Sequence, residues 1–249
     1  MVITYICIFF IGASIASFLN ATLYRLENGY KYPEIVELGS HCEKCKHMLT
    51  WYELIPIFGY IFIKGRCTSC KKKIDIYYPL SEFFLGTIFL LFFLYSITWY
   101  IWIIIIFLFL LSYHDIKYKA VPQNMVHVFL LVCTLLFLLF SFNITNLYIP
   151  VIITLSLLVI NLFKKSFGMG DILVLLGLGI FLNYEEYLVM FWLGIMIALL
   201  YSVIWIMKKK VDIKKAKVAM LPFFSISFSI SILYGEKIYD WLLKCMRIW

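Results

Sequence analysis

Residues 83–112 read FFLGTIFLLFFLYSITWYIWIIIIFLFLLS, thirty positions without a single charge. As one helix rising 1.5 Å per residue the run would be ~45 Å long, too much for a hydrocarbon core of ~30 Å. It is therefore expected to form two spans that break near residues 96–98. Trp99, Tyr100 and Trp102 follow the break, where aromatic rings favour the membrane interface.

The rest of the chain repeats this pattern. Of its 249 residues, 64% are hydrophobic and 14% charged, and the mean hydropathy is +0.95. A soluble domain carries about 25% charged residues, so this much apolar surface needs lipid as its solvent. Apolar runs at roughly 2–24, 80–96, 99–114, 124–141, 147–163, 171–183, 187–207 and 218–234 predict an all-α polytopic membrane protein with eight transmembrane helices. The expected organisation is a first span (1–24), a four-cysteine domain (25–79), a membrane core of seven helices (80–234) and a tail (235–249) that forms an interfacial amphipathic helix. The first run has no charge before Arg25. Its length exceeds the about 7–15 apolar residues of a signal peptide, so it reads as a true span.

The net charge of +8 is concentrated. With eight spans, segments 25–79, 115–123, 164–170 and 208–217 share one side and hold 19 of the 22 Lys and Arg residues. The opposite loops, 96–98, 142–146 and 183–186, hold none. The positive-inside rule puts the basic segments in the cytoplasm and both termini outside. Charge arranged this way is a topology signal and argues against nucleic acid as a partner. Lys208, Lys209, Lys210, Lys214, Lys215 and Lys217 also favour anionic membrane lipid. Heavy use of Ile, Phe, Tyr, Lys and Asn suggests an AT-rich bacterial genome.

Four of the seven cysteines form two pairs, Cys42 with Cys45 and Cys67 with Cys70. Two C-x2-C pairs in one segment match a four-thiolate zinc site, because each pair reaches one tetrahedral ion at about 2.3 Å. Lys44, Lys46, Lys64, Arg66 and Lys71 would offset the thiolate charge. The alternative is two disulfides, which a reducing cytoplasm disfavours. Four protein ligands leave no open position, so the zinc would be structural in a small, zinc-ribbon-like insertion. His41 and His47 are substitute ligands or bystanders. Cys7, Cys133 and Cys245 are isolated and read as packing or lipid-facing residues.

Ionisable groups at membrane depth are costly and usually mark function. Three acids fall near span boundaries: Glu82, Asp115 and Asp171. Asp115 ends the third span and Asp171 begins the sixth, both on the basic side, so the two can meet at one depth. Paired carboxylates can hydrolyse a peptide, one activating water while the other protonates the carbonyl. Gly168 and Gly170 leave the chain free to be irregular just before Asp171. The bland alternatives are a first-turn acid at 171 and an interfacial charge at 115 balanced by Lys117. Asp115 ends its helix and Asp171 begins its own, so the dipoles favour a shared proton resting on Asp115.

These residues, taken in order, resemble the type IV prepilin peptidase family across nearly the whole chain. The resemblance is carried by Ser17-Phe18-Leu19-Asn20 and Tyr24-Arg25-Leu26, then by the first cysteine pair and Leu54-Ile55-Pro56. Next come Lys64-Gly65-Arg66-Cys67, Tyr78-Pro79-Leu80 with Glu82, the Asp115 segment ending at Pro122, and Gly168-Met169-Gly170-Asp171. The resemblance implies a membrane aspartic endopeptidase that removes the short basic leader of prepilins or pseudopilins at the cytoplasmic face, with Asp115 and Asp171 catalytic. It also implies N-methylation of the new terminus with S-adenosylmethionine, by the segment that holds the cysteines. Gly65 matches a position linked to that activity, and its plain alternative is a tight turn into the second knuckle. Two departures are Ala16, where glycine is expected, and Leu221-Pro222-Phe223-Phe224-Ser225, which lacks the glycine and second proline of the late motif. The rival readings are a non-catalytic zinc-ribbon scaffold of a pilus or secretion system and a proton-coupled transporter. The latter is disfavoured because the acids lie at the membrane edge and no internal repeat is seen.

Overall fold

The computed structural model describes residues 2–140, 144–163, 167–209 and 218–247. It is built from helices: α1 (Val2–Glu27), α2 (Glu34–Glu37), α3 (Phe58–Phe62), α4 (Tyr77–Leu94), α5 (Trp99–Tyr118), α6 (Gln123–Phe140), α7 (Tyr148–Phe163), α8 (Met169–Leu178), α9 (Tyr184–Lys209) and α10 (Leu221–Arg247). Eight of these match the eight expected apolar runs one to one. The uncharged run divides as expected, α4 ending at Leu94 and α5 beginning at Trp99. The protein is thus an all-α, multi-pass membrane protein with a four-cysteine insertion.

Two helices depart from expectation. Among the described residues, six helical segments are long and apolar enough to cross a membrane by length and composition, and α8 and α10 are not among them. The segment Met169–Phe181, α8 with its terminal 3-10 turn, spans only ~20 Å. Its Ile172, Val174, Leu175 and Leu178 are fully buried, so neighbouring helices shield it from lipid. α10 runs unbroken to Arg247, and the expected separate helix in the tail is its continuation. Expectations for Lys210, Lys214, Lys215, Lys217 and parts of loops 142–146 and 164–170 lie outside the described residues.

The chain forms two compact units, Met1–Ile97 and Thr98–Trp249. The division groups α4 with the cysteine segment and α1, whereas the expected membrane core began at residue 80.

In the first unit α1 packs along α4. Glycines make the approach close: a Cβ at Gly12 would lie 2.8 Å from Phe89, and one at Gly86 would lie 2.8 Å from the Phe9 carbonyl. Small residues at a helix contact are how spans associate where lipid supplies no hydrophobic drive. Ala16 is fully buried in α1, which accounts for the small residue there. Further along, Asn20 donates to Ser81 Oγ at 2.8 Å, a hydrogen bond of roughly 0.6 kcal/mol in such a setting.

In the second unit α10 packs between α5 and α9, and α8 packs against α6 and α7. Ser112 of α5 and Ser225 of α10 are hydrogen-bonded at 2.9 Å. The helix starts follow local rules. Asn183 precedes α9, and its amide donates to Glu186 at 2.8 Å, half of a capping box. α5 ends where Lys119 turns left-handed (φ 53), and Pro122 then stops the helix from resuming before Gln123.

Candidate active site and candidate metal centre

Asp115 lies in the last turn of α5 and is 5% exposed. Asp171 lies in the first turn of α8 and is partly exposed. Both line one cavity of about 440 Å³, within the usual range for ligand sites. Lys119, Gln123, Val126, His127 and residues 168–170 complete most of its wall. The two carboxylates are close enough for their charges to repel.

Asp115 is held by the backbone of another helix. Leu221 donates its amide to Asp115 Oδ2 at 2.9 Å, and the Met220 amide assists. Leu221 is the first residue of α10, so Asp115 faces the positive end of a helix other than its own. This field opposes that of its own helix end. The expectation that a shared proton rests on Asp115 was drawn from its own helix end alone, and the two helix ends act in opposite directions. Asp171 lies three residues after Gly168, the position from which a capping acid reaches back across the first turn.

The glycines divide in role. Gly168 is extended (φ -64, ψ 137), and a side chain there would come within 3.0 Å of Asp171 Oδ2. Gly170 is not irregular: α8 begins at Met169, and a Cβ at 170 would meet Val126 only at 3.5 Å. Lys117, the counter-charge of the bland alternative, donates to the Tyr113 hydroxyl at 3.1 Å, while Lys119 lines the cavity. Lys119, Gln123, His127 and the Leu221 amide were not singled out from the sequence. The first three follow from the short α5–α6 connection, but a backbone amide has no signature in residue identity.

Cys42, Cys45, Cys67 and Cys70 of the first unit form two equivalent knuckles. Cys42 donates its amide to the His47 carbonyl, and Lys46 donates back to Cys42. Twenty-five positions later Cys67 bonds Lys72 and Lys71 bonds Cys67 in the same way. Each turn passes through a left-handed lysine, Lys46 (φ 59) and Lys71 (φ 57). Single antiparallel bridges, His41 with Met48 and Arg66 with Lys73, close them.

All four sulfurs lie within 4.8 Å of one another, with Cys42 and Cys70 at 4.0 Å and Cys45 and Cys67 at 3.8 Å. A tetrahedral ion at about 2.3 Å from each sulfur requires an edge of about 3.8 Å. The cluster can therefore hold a metal ion, whereas those separations are far too long for disulfides, and the cysteines are free. The His47 amide brings the Cys45 thiol down to about 7, and the Cys70 amide lowers Cys67. Burial, and then the neighbouring sulfurs, raise Cys42 to about 11, which a divalent cation at the centre would reverse. Neither His41 nor His47 belongs to the four-sulfur cluster.

Glu53 ties the knuckles together. Its carboxylate accepts from the Thr50 amide and hydroxyl at 2.7 and 2.8 Å and from the Thr68 hydroxyl at 2.8 Å. Gly65 has φ +66, and a Cβ there would lie 2.7 Å from the Tyr60 ring. The tight turn weighed from the sequence is present, and a close contact is added to it. Glu82, buried on α4, accepts the amide of Ile57 at 2.7 Å.

A multi-pass helical membrane protein with one thiolate cluster and one paired-carboxylate cavity is a narrow class. Residues 10–96 match the bacterial peptidase A24 N-terminal domain, and residues 102–203 match the type IV leader peptidase family. The chain belongs to the type IV leader peptidase family.

Similar proteins include two named prepilin leader peptidase/N-methyltransferase. That of Myxococcus xanthus is 35% identical over 33% of this chain and 24% of its own length. That of Klebsiella pneumoniae is 33% identical over 34% of this chain and 38% of its own. These matches thus span well under half of those relatives. A protein of the same name from Aeromonas salmonicida is 24% identical over 95% of this chain and 93% of its own length. No solved structure matches the chain.

Proposed function

We propose that the protein is an aspartic endopeptidase that removes the short basic leader from prepilins or pseudopilins, with Asp115 and Asp171 as its catalytic pair. The observation that carries this reading is that both carboxylates line one cavity from separate helices, with Asp115 held by the Leu221 amide. One carboxylate takes a proton from water as the water oxygen bonds to the scissile carbonyl carbon. The other, protonated, gives its proton to the carbonyl oxygen. Collapse of the tetrahedral intermediate breaks the C–N bond and delivers a proton to the leaving amine.

The charge map supports a bacterial inner-membrane location with the aspartates and cysteines on the cytoplasmic side. Cys42, Cys45, Cys67 and Cys70 would hold Zn2+ as a structural ion that cross-links the two knuckles. The names of the relatives support a second activity, N-methylation of the cleaved terminus with S-adenosylmethionine as the methyl donor, with Gly65 in the segment concerned.

The test is cleavage of a prepilin co-expressed with the wild type, Asp115→Asn or Asp171→Asn, read by product mass. Each substitution is expected to cut cleavage by on the order of 10²-fold or more. Cleavage surviving in either variant, with normal membrane insertion, would remove the dyad and favour a non-catalytic scaffold. A product heavier by one methyl group would establish the second activity.

A further inference from the structure

Residues 54–63, between Glu53 and Lys64, form a run of ten without a charge. In a small cysteine-bound domain such a run should supply the core. Instead Leu54, Phe58, Ile61 and Phe62 are 45, 43, 58 and 59% exposed. A contiguous exposed apolar face marks an interaction surface.

The position of this face says what covers it. Phe58 of α3 stacks on Phe10 of α1, with centroids 6.0 Å apart and planes at 26°. Phe10 meets Phe9 at 5.7 Å, and Phe9 meets Phe83 of α4 at 6.0 Å. One aromatic row thus crosses from α4 over α1 to α3. Phe83 follows Glu82 directly and Phe9 is level with Gly86, so the row lies about one turn of α4 inside the apolar layer. Ile6 and Ile11 of α1 and Phe83 and Phe84 of α4 are about half exposed as well, and on spanning helices that exposure is to lipid. The exposed face of α3 continues this lipid-facing surface.

Two further features fit. The Ile57 amide, at a left-handed residue (φ 66), is held by Glu82, which fastens the start of α3 to α4 at the same level. Lys64, Arg66, Lys71, Lys72 and Lys73 follow the run and are exposed, complementing anionic headgroups.

We infer that residues 54–63 enter the bilayer interface as a third membrane contact of the first unit, beside α1 and α4, with lipid as the occupant. The four-cysteine cluster is then held against the membrane surface: Cys67 lies three positions beyond Lys64.

To test this, Phe62 is replaced by trifluoromethyl-phenylalanine in the full chain, reconstituted in nanodiscs of zwitterionic and anionic phospholipid. Fluorine NMR is recorded with a lipid-borne nitroxide and, separately, with a water-soluble nickel chelate. The same label at Phe83 gives the lipid reference, and at Tyr32, 84% exposed, the water reference. The Phe62 signal is expected to lose its intensity to the nitroxide, as at Phe83, and to keep it with the chelate. A signal that follows Tyr32, or one shielded from both probes as under a protein surface, overturns the inference.

Discussion

The amide of Leu221 donates to Asp115 Oδ2 at 2.9 Å, joining the first residue of α10 to the last turn of α5 across 106 positions of sequence. The bond is buried and its acceptor is a carboxylate, a type worth about 1.5–3 kcal/mol. It fixes the orientation of Asp115 by an atom that every residue but proline carries.

Leu221→Pro removes that donor, and proline is tolerated at the first position of a helix. Leu221→Ala keeps the donor and loses only packing. Prepilin cleavage is expected to fall roughly tenfold or more in Leu221→Pro relative to Leu221→Ala, at equal expression. Equal rates would show that the amide does not position Asp115.

Loss of one thiolate should empty the metal centre, since four ligands complete its shell. Cys67→Ser is expected to abolish zinc that copurifies with the wild type, measured by elemental mass spectrometry. It should also lower the melting temperature of the purified protein. Treatment of the wild type with a strong chelator is expected to reproduce both effects.

Gly65→Ala meets two penalties, a left-handed backbone and a Cβ 2.7 Å from the Tyr60 ring. The backbone part costs about 1 kcal/mol. Shortening Tyr60 to Leu in the same chain removes the clash and not the backbone strain, so partial recovery of thermal stability is expected. Methylation of the cleaved product should fall in Gly65→Ala while cleavage persists, which the product mass reads directly.

Glu53 should give the first unit a stability that depends on acid. Burial pushes its carboxyl up, but hydrogen bonds from Thr50 and Thr68 outweigh this and hold it below the usual range. A group depressed in the folded state stabilises above its unfolded pKa, about 4.3, and that stability is lost as pH falls through the folded value. Glu53→Gln is expected to lower the melting temperature at neutral pH, and the gap to the wild type should narrow as pH falls below about 4.3. A gap independent of pH would show that the charge is not what matters.

Much of this architecture was legible because lipid imposes a simple rule on sequence. Thirty uncharged residues cannot be one span, and the break at 96–98 followed from length alone. The two knuckles were legible from cysteine spacing, because metal geometry tolerates few separations. α8 was expected to span, but its shortness is masked by continuous apolarity into the 3-10 turn and the residues beyond. α10 was expected to end near 234, because charges such as Glu236 and Lys237 look like the end of a span; charge limits membrane depth, not helix length. The exposed face of residues 54–63 was read only as part of a cysteine domain, since apolar composition does not say whether a residue packs on protein or on lipid.

By itself the sequence determined the class of molecule, the positions of eight of its helices and the residue types available for chemistry, since these depend on composition, spacing and charge read locally. Tertiary structure decided which groups meet: that Asp115 and Asp171 line one cavity, that Lys119 rather than Lys117 joins them, and that Glu53 ties the two knuckles together. It also placed the start of α10 against Asp115, through a backbone amide whose partner is set by packing over more than a hundred residues. Such a contact leaves no trace in residue identity, because the donor is the same atom at nearly every position in the chain.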